Sequence, residues 1–166
     1  MKKILMITGK DYDDSEVLYP YYRLLEEGYD VDVASVEKTE VPGKYHFMIQ
    51  ANLKFDEVNT KDYIGLVIPG GKAPEKLRII EDVKKIVCEF EESKKPIAAI
   101  CHGQQILISA NVLSGKNATC YPGIRDDLKN AGANYLDEPV VVCDNLVTSR
   151  RPDDLPYFMK AFISIL

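Results

Sequence analysis

Cys101 and His102 stand next to each other at the end of a small apolar run, A-A-I-C-H-G at 98–103, and they are the pair in this chain best suited to nucleophilic chemistry. A thiol attacks as its thiolate, so the surroundings of the sulfur decide whether it reacts. A short strand turning sharply into a helix has the logic of a nucleophile elbow, with the residue at the turn projecting over the sheet edge. Ala98, Ala99 and Gly103 leave room for that turn, and Cys101 is expected at φ > 0, a conformation rare for a non-glycine residue. The N-terminus of the following helix favours the thiolate. Glu16, placed alongside, opposes the thiolate while ionised and donates a hydrogen bond to sulfur once protonated, so the two are expected to titrate as a coupled pair.

The other chemistry-bearing residues admit plainer roles. His102 either pairs with the thiol or packs the turn, and adjacency alone does not decide. Gly70-Gly71 is a simple turn, or a place where backbone N–H groups approach a ligand closely and form an oxyanion hole with the His102 N–H. Glu75 is most simply a first-turn complement to a helix dipole. Asp11, Asp13, Asp14 and Glu16 read as a solvated loop with an N-cap, and His46 as a surface residue. Cys88, Cys120 and Cys143 read as structural, Cys88 on an amphipathic helix and the other two on strands. The four cysteines form no C-x-x-C and only two histidines accompany them, so free thiols are expected and no metal or cofactor.

These residues need a scaffold. Short apolar runs at 3–8, 30–36, 63–68 and 97–100 read as strands, with β-rich segments at 117–121, 139–143 and 145–149. Helical spacing is clear at 16–27, 79–92, 102–110, 123–130 and 153–165, while 45–55 reads as a hairpin or an edge strand. Near-continuous apolar strands alternating with helices indicate an α/β, doubly wound, mostly parallel sheet covered on both faces, with a small antiparallel hairpin near 139–149. No linker divides the chain, so residues 1–166 are expected to form a single domain. In such sheets ligands bind beyond the carboxyl ends of the strands, where the loop after strand one, Gly70-Gly71 and Cys101-His102 would meet.

Composition narrows the partners. The 166 residues are 46% hydrophobic and 28% charged, with a net charge of −5. That balance argues against a nucleic-acid or anionic-membrane surface, and no apolar run reaches the roughly 18 residues of a spanning helix. The apolar stretch in M-K-K-I-L-M-I-T is too short for a secretory signal, so a cytoplasmic protein is expected.

In several segments the chain resembles the PfpI intracellular-protease family, within the larger DJ/PfpI superfamily of flavodoxin-like, class I glutamine amidotransferase-like proteins. The segments are E-V-L-Y-P-Y-Y-R-L at 16–24, V-I-P-G-G-K-A-P-E-K-L-R at 67–78, K-P-I-A-A-I-C-H-G at 95–103, T-C-Y-P-G-I-R-D-D-L at 119–128 and V-T-S-R at 147–150. The resemblance implies Cys101 as nucleophile, His102 as its partner and Glu16 as the carboxylate beside the thiol. It further implies that Glu75 reaches His102 from a neighbouring subunit, that Gly71 helps form the oxyanion hole, and that Tyr121 lines the pocket. A homo-oligomer, dimer or hexamer, is then part of the active unit. Two departures stand out: Gln104 replaces the usual proline after C-H-G, and V-V-C-D-N-L at 141–146 lacks the usual glycine of its turn.

The expected function is a cysteine hydrolase acting on peptide bonds, or a glyoxalase-deglycase acting on reactive-aldehyde adducts. The alternative is a redox-sensing or chaperone-like stress protein that uses oxidation of Cys101. A glutamine amidotransferase is excluded, because its triad takes a histidine late in the chain and none follows His102.

Overall fold

Strands that are apolar along their whole length need cover on both faces, and such strands form the centre of this fold. The computed structural model describes residues 2–166. In chain order the elements are β1 (Lys3–Ile7), α1 (Asp14–Glu26), β2 (Asp30–Ser35), β3 (Glu40–Pro42), β4 (Met48–Gln50), β5 (Leu53–Lys54), β6 (Gly65–Ile68), α2 (Ala73–Leu77) and α3 (Glu81–Glu92). They continue with β7 (Ile97–Ile100), α4 (Gln104–Ser109), β8 (Asn117–Ala118), α5 (Arg125–Asn130), β9 (Asn134–Tyr135), β10 (Val140–Cys143), β11 (Leu146–Ser149) and α6 (Leu155–Ser164). Every residue of β6, β7 and β11 is buried, as is all of β1 after Lys3.

The main sheet has seven strands in the order β10-β11-β7-β6-β1-β2-β5. All neighbours are parallel except β10, which pairs antiparallel with β11. Its central five strands follow the flavodoxin-like order, which reverses direction between β1 and β6. Right-handed crossovers to opposite sides of that point place α1 and α3 on opposite faces. α6 packs with α1, and α4 packs against α3 and α5. The reversal opens a crevice at the carboxyl ends of β1, β6 and β7, where the candidate residues cluster.

Several elements differ from the sequence expectation. Segment 45–55 resolves into both alternatives: β4 closes a small antiparallel hairpin with β3, and β5 is an edge strand on β2. The helix expected over 79–92 is α3, and a separate short helix, α2, precedes it and carries Glu75 in its first turn. Only Asn117–Ala118 of the 117–121 run pairs as a strand, and it does so with β9 outside the main sheet. Cys120 therefore lies in a buried loop, not on a strand, whereas Cys143 ends β10. The hairpin turn without its glycine is made by Asp144 at φ 53, a left-handed conformation that aspartate tolerates better than most residues. His46 is exposed, as expected.

Candidate active site

Cys101 follows β7 directly and adopts φ 64, the strained elbow expected from A-A-I-C-H-G. Its backbone is held on both sides: Cys101 N–H donates to Ser149 O at 3.0 Å, and Cys101 O accepts from Tyr121 N–H at 3.1 Å. α4 begins three residues later. The turn admits no side chain at Gly103, where a Cβ would lie 2.5 Å from Ile68 O. Cys101 is 8% exposed, so the sulfur sits at the floor of the crevice rather than on its rim.

The elbow folds two consecutive side chains together. Cys101 Sγ lies 3.3 Å from His102 Nδ1, which favours the pairing role over mere packing of the turn. Tyr121 fixes the ring from the other side, stacking on it with centroids 4.6 Å apart. Burial holds His102 below the ordinary histidine range, and Lys44 adds to the effect while Glu75 opposes it. A neutral imidazole with Nδ1 facing sulfur can accept the thiol proton.

The acidic loop is not solvated, which corrects the sequence expectation for Asp13, Asp14 and Glu16. Asp13 caps α1, accepting from Ser15 N–H at 3.1 Å and Glu16 N–H at 3.3 Å, and pairs with Lys44 at 3.0 Å. Burial would raise the Asp13 carboxyl, but the Ser15 hydroxyl and Lys44 outweigh it and hold it below the usual range. Asp14 accepts from Tyr45 N–H at 2.7 Å. Only Asp11 keeps substantial exposure. The loop is folded inward because Tyr12 is fully buried and its hydroxyl donates to Phe47 O at 2.6 Å, which pins the segment beneath the β3–β4 hairpin.

Glu16 is fully buried as a result. Its Oε1 accepts from Gly70 N–H at 2.9 Å, while no oxygen or nitrogen partner meets Oε2. Burial, reinforced by the Asp13 charge, pushes its carboxyl up to about 8. At neutral pH the acid therefore keeps its proton, and the unpartnered oxygen is the one free to carry it. Burial also raises the Cys101 thiol, the Glu16 charge adds to this, and the N–H groups of His102 and Gly71 pull the other way. With Glu16 protonated the charge contribution falls away, and the pair shares its protons as a unit.

Gly70 and Gly71 are glycines for steric reasons. A Cβ on Gly70 would meet Glu16 Oε1 at 2.5 Å and Cys101 Cβ at 2.9 Å, and Gly71 takes φ 85. The turn brings the Gly71 N–H and the His102 N–H toward the same sulfur, where both favour the thiolate.

The crevice above them has a volume of about 650 Å³ and includes Cys101, His102, Gly71, Tyr121 and Glu75 in its walls. Glu75 is exposed, and among the described residues no hydrogen bond joins it to His102. Its influence on the ring within one chain is through space. Sequence reasoning missed Lys44, Lys72 and Arg151, which bring positive charge to the same walls. Lys44 arrives from the hairpin, 57 positions before Cys101 (101 − 44), and no local motif announces it. Among the described residues no group of three or more His, Cys, Asp or Glu side chains is placed to hold a metal, and no helix is long and apolar enough to cross a membrane.

Known proteins resemble this chain over nearly its whole length. The chain is 47% identical to the deglycase PfpI of Pyrococcus furiosus and 46% identical to the deglycase PH1704 of Pyrococcus horikoshii, each over 99% of both chains. General stress protein 18 of Bacillus subtilis is 41% identical over 99% of this chain and 98% of its own. Among solved structures, a two-domain protein of Anabaena variabilis with DJ-1/ThiJ/PfpI-like and ferritin-like domains superposes with a TM-score of 0.97 at 38% identity. The match covers 99% of this chain and 48% of that one, so the chain spans about half of the two-domain protein. Schizosaccharomyces pombe DJ-1 superposes with a TM-score of 0.89 at 26% identity, covering 99% of this chain and 92% of that one. The DJ-1/PfpI family model matches residues 2–165, and the chain belongs to the DJ-1/PfpI family.

Proposed function

We propose that this protein is a cysteine-dependent hydrolase of the PfpI type, acting on peptides or on adducts of reactive aldehydes such as methylglyoxal. The observation that carries this reading is the 3.3 Å approach of His102 Nδ1 to a strained Cys101 sulfur. In the proposed step His102 Nδ1 takes the thiol proton as Sγ bonds to the carbonyl carbon. The carbonyl π pair moves onto oxygen, which the Gly71 and His102 N–H groups stabilise. With a peptide, collapse breaks the C–N bond and the imidazolium returns its proton to the leaving amine. Water then hydrolyses the thioester. With an aldehyde the same addition, followed by return of the imidazolium proton to the oxygen, gives a hemithioacetal.

Glu75 completes the site in this proposal from a neighbouring copy. It is exposed on α2 at the wall of the crevice, a placement from which a carboxylate can serve a second subunit. The active unit is then a homo-oligomer, dimer or hexamer, in the cytoplasm. Relatives named deglycase support the aldehyde arm.

A second reading, redox sensing in a stress response, draws on one observation: a buried, protonated Glu16 beside the sulfur can hydrogen-bond an oxidised cysteine as well as a thiolate. A side-by-side assay of wild type and Cys101→Ala with methylglyoxal and a fluorogenic peptide separates the two. Turnover of either substrate that vanishes in the variant supports the hydrolase. Peroxide modification of Cys101 without turnover of either substrate supports the sensor.

A further inference from the structure

Gln104, one residue past the Cys101-His102-Gly103 turn, is fully buried at the start of α4. A buried amide at this place needs partners, and its Nε2 has three: Ala99 O at 3.1 Å, Thr119 O at 2.8 Å and Ser149 O at 2.9 Å. Two N–H bonds serve three carbonyls, so one is shared. The surroundings also settle the amide's orientation, since the reverse would set Oε1 against three carbonyl oxygens. Oε1 itself has no partner.

The three carbonyls belong to the three backbone segments that hold the candidate nucleophile and its histidine. Ala99 lies in β7, two residues before Cys101. Ser149 O is the same atom that accepts from Cys101 N–H at 3.0 Å. Thr119 opens the segment that carries Tyr121, whose N–H donates to Cys101 O and whose ring stacks on His102. One side chain thus joins the strand that delivers the cysteine, the strand that anchors its backbone and the loop that fixes the imidazole. No residue without a side-chain donor could do this.

The geometry points to Gln104 as a positioning residue: it ties β7, β11 and the Thr119–Tyr121 segment together so that Cys101 Sγ, the oxyanion donors and His102 Nδ1 stay aligned. This inference rests on Cys101 being the nucleophile, but its test does not require the hydrolase reading. Cys101 alkylation by iodoacetamide, followed by mass spectrometry across pH, reports sulfur reactivity with no substrate. In Gln104→Met, which keeps the length and loses both donors, the midpoint of that pH profile should rise, because misaligned N–H donors stabilise the thiolate less. If the protein turns over methylglyoxal, kcat should fall about tenfold or more while KM stays within about twofold.

A second variant guards against a protein that merely unfolds. Gln104→Glu is isosteric and can donate one O–H while protonated, so its reactivity should approach wild type at low pH. It should fall as pH rises and the carboxylate faces three carbonyl oxygens, a descending limb that wild type lacks. Circular dichroism at each pH confirms that folded protein is being measured. A folded Gln104→Met variant with the wild-type alkylation profile would overturn the proposal. If Gln104→Met does not fold, a Gln104→Glu variant without the extra limb would overturn it. Lack of turnover in wild type would count against the hydrolase alone.

Discussion

Cys101 Sγ and His102 Nδ1 lie 3.3 Å apart although the two residues are consecutive in the chain. Neighbouring side chains normally diverge; here the left-handed φ of 64 at Cys101 turns them toward one another. The strain is sustained by the bonds to Ser149 and Tyr121 and by the Tyr121 ring. Replacing His102 by Ala removes the proton acceptor and the ring on which Tyr121 stacks, while the backbone bonds to Ser149 and Tyr121 still hold the elbow. A kcat lower by about 10²- to 10⁴-fold with little change in KM is expected. Steady-state kinetics would contradict the role if kcat held.

Glu16 gives a pH-dependent stability whose sign is fixed. Its folded pKa of about 8 lies above the 4.5 of a freely solvated glutamate. Between these values the folded state binds more protons than the unfolded one, so the contribution of Glu16 is full below the lower value and is lost as pH rises toward the upper one. The loss from this single group approaches about 1.4 kcal/mol per pH unit. Glu16→Gln should remove it, so that urea denaturation at pH 5 and pH 9 differs less in the variant than in wild type. Equal differences in both proteins would mean that Glu16 is not protonated in the fold.

How much of this could be read beforehand follows from range along the chain. The strands were legible because β1, β6, β7 and β11 are short apolar runs, and the elbow because small residues, cysteine and glycine sit within six consecutive positions. Glu16 read as part of a solvated loop, since its burial depends on Gly70, 54 residues away, and on Tyr12 reaching the hairpin. Gln104 was visible as a departure from the family pattern, but its three acceptors lie 5, 15 and 45 residues off. The bounds of α2 are not legible, because five residues are too few for helical periodicity, although Glu75 reads as a first-turn carboxylate and Pro74 marks a helix start.

Glu75 acting between copies has a direct genetic test. Glu75→Gln should lower activity, and Cys101→Ala should remove it. Mixed oligomers of the two variants should regain activity, because the Cys101→Ala subunit still offers Glu75 to an intact Cys101. Absence of recovery after demonstrated subunit exchange would place the function of Glu75 within one chain or nowhere.

Charge in the crevice predicts a substrate preference. Lys44 is paired with Asp13, but no ion pair is made by Lys72 or Arg151 among the described residues, in a chain of net charge −5. A carboxylated aldehyde such as glyoxylate should be bound better than its uncharged counterpart. Arg151→Gln should raise KM for glyoxylate on the order of tenfold while leaving methylglyoxal within about twofold. Parallel changes for both substrates would show that Arg151 does not read the charge.

In the proposed reaction the Cys101 sulfur bonds to the substrate. Wild type and Cys101→Ala, incubated with methylglyoxal under identical conditions, can be followed for turnover while quenched samples are mapped by mass spectrometry. A substrate-derived mass is expected on the peptide carrying Cys101 in wild type, with loss of both the adduct and turnover in a folded variant. Turnover that persists in Cys101→Ala would contradict it.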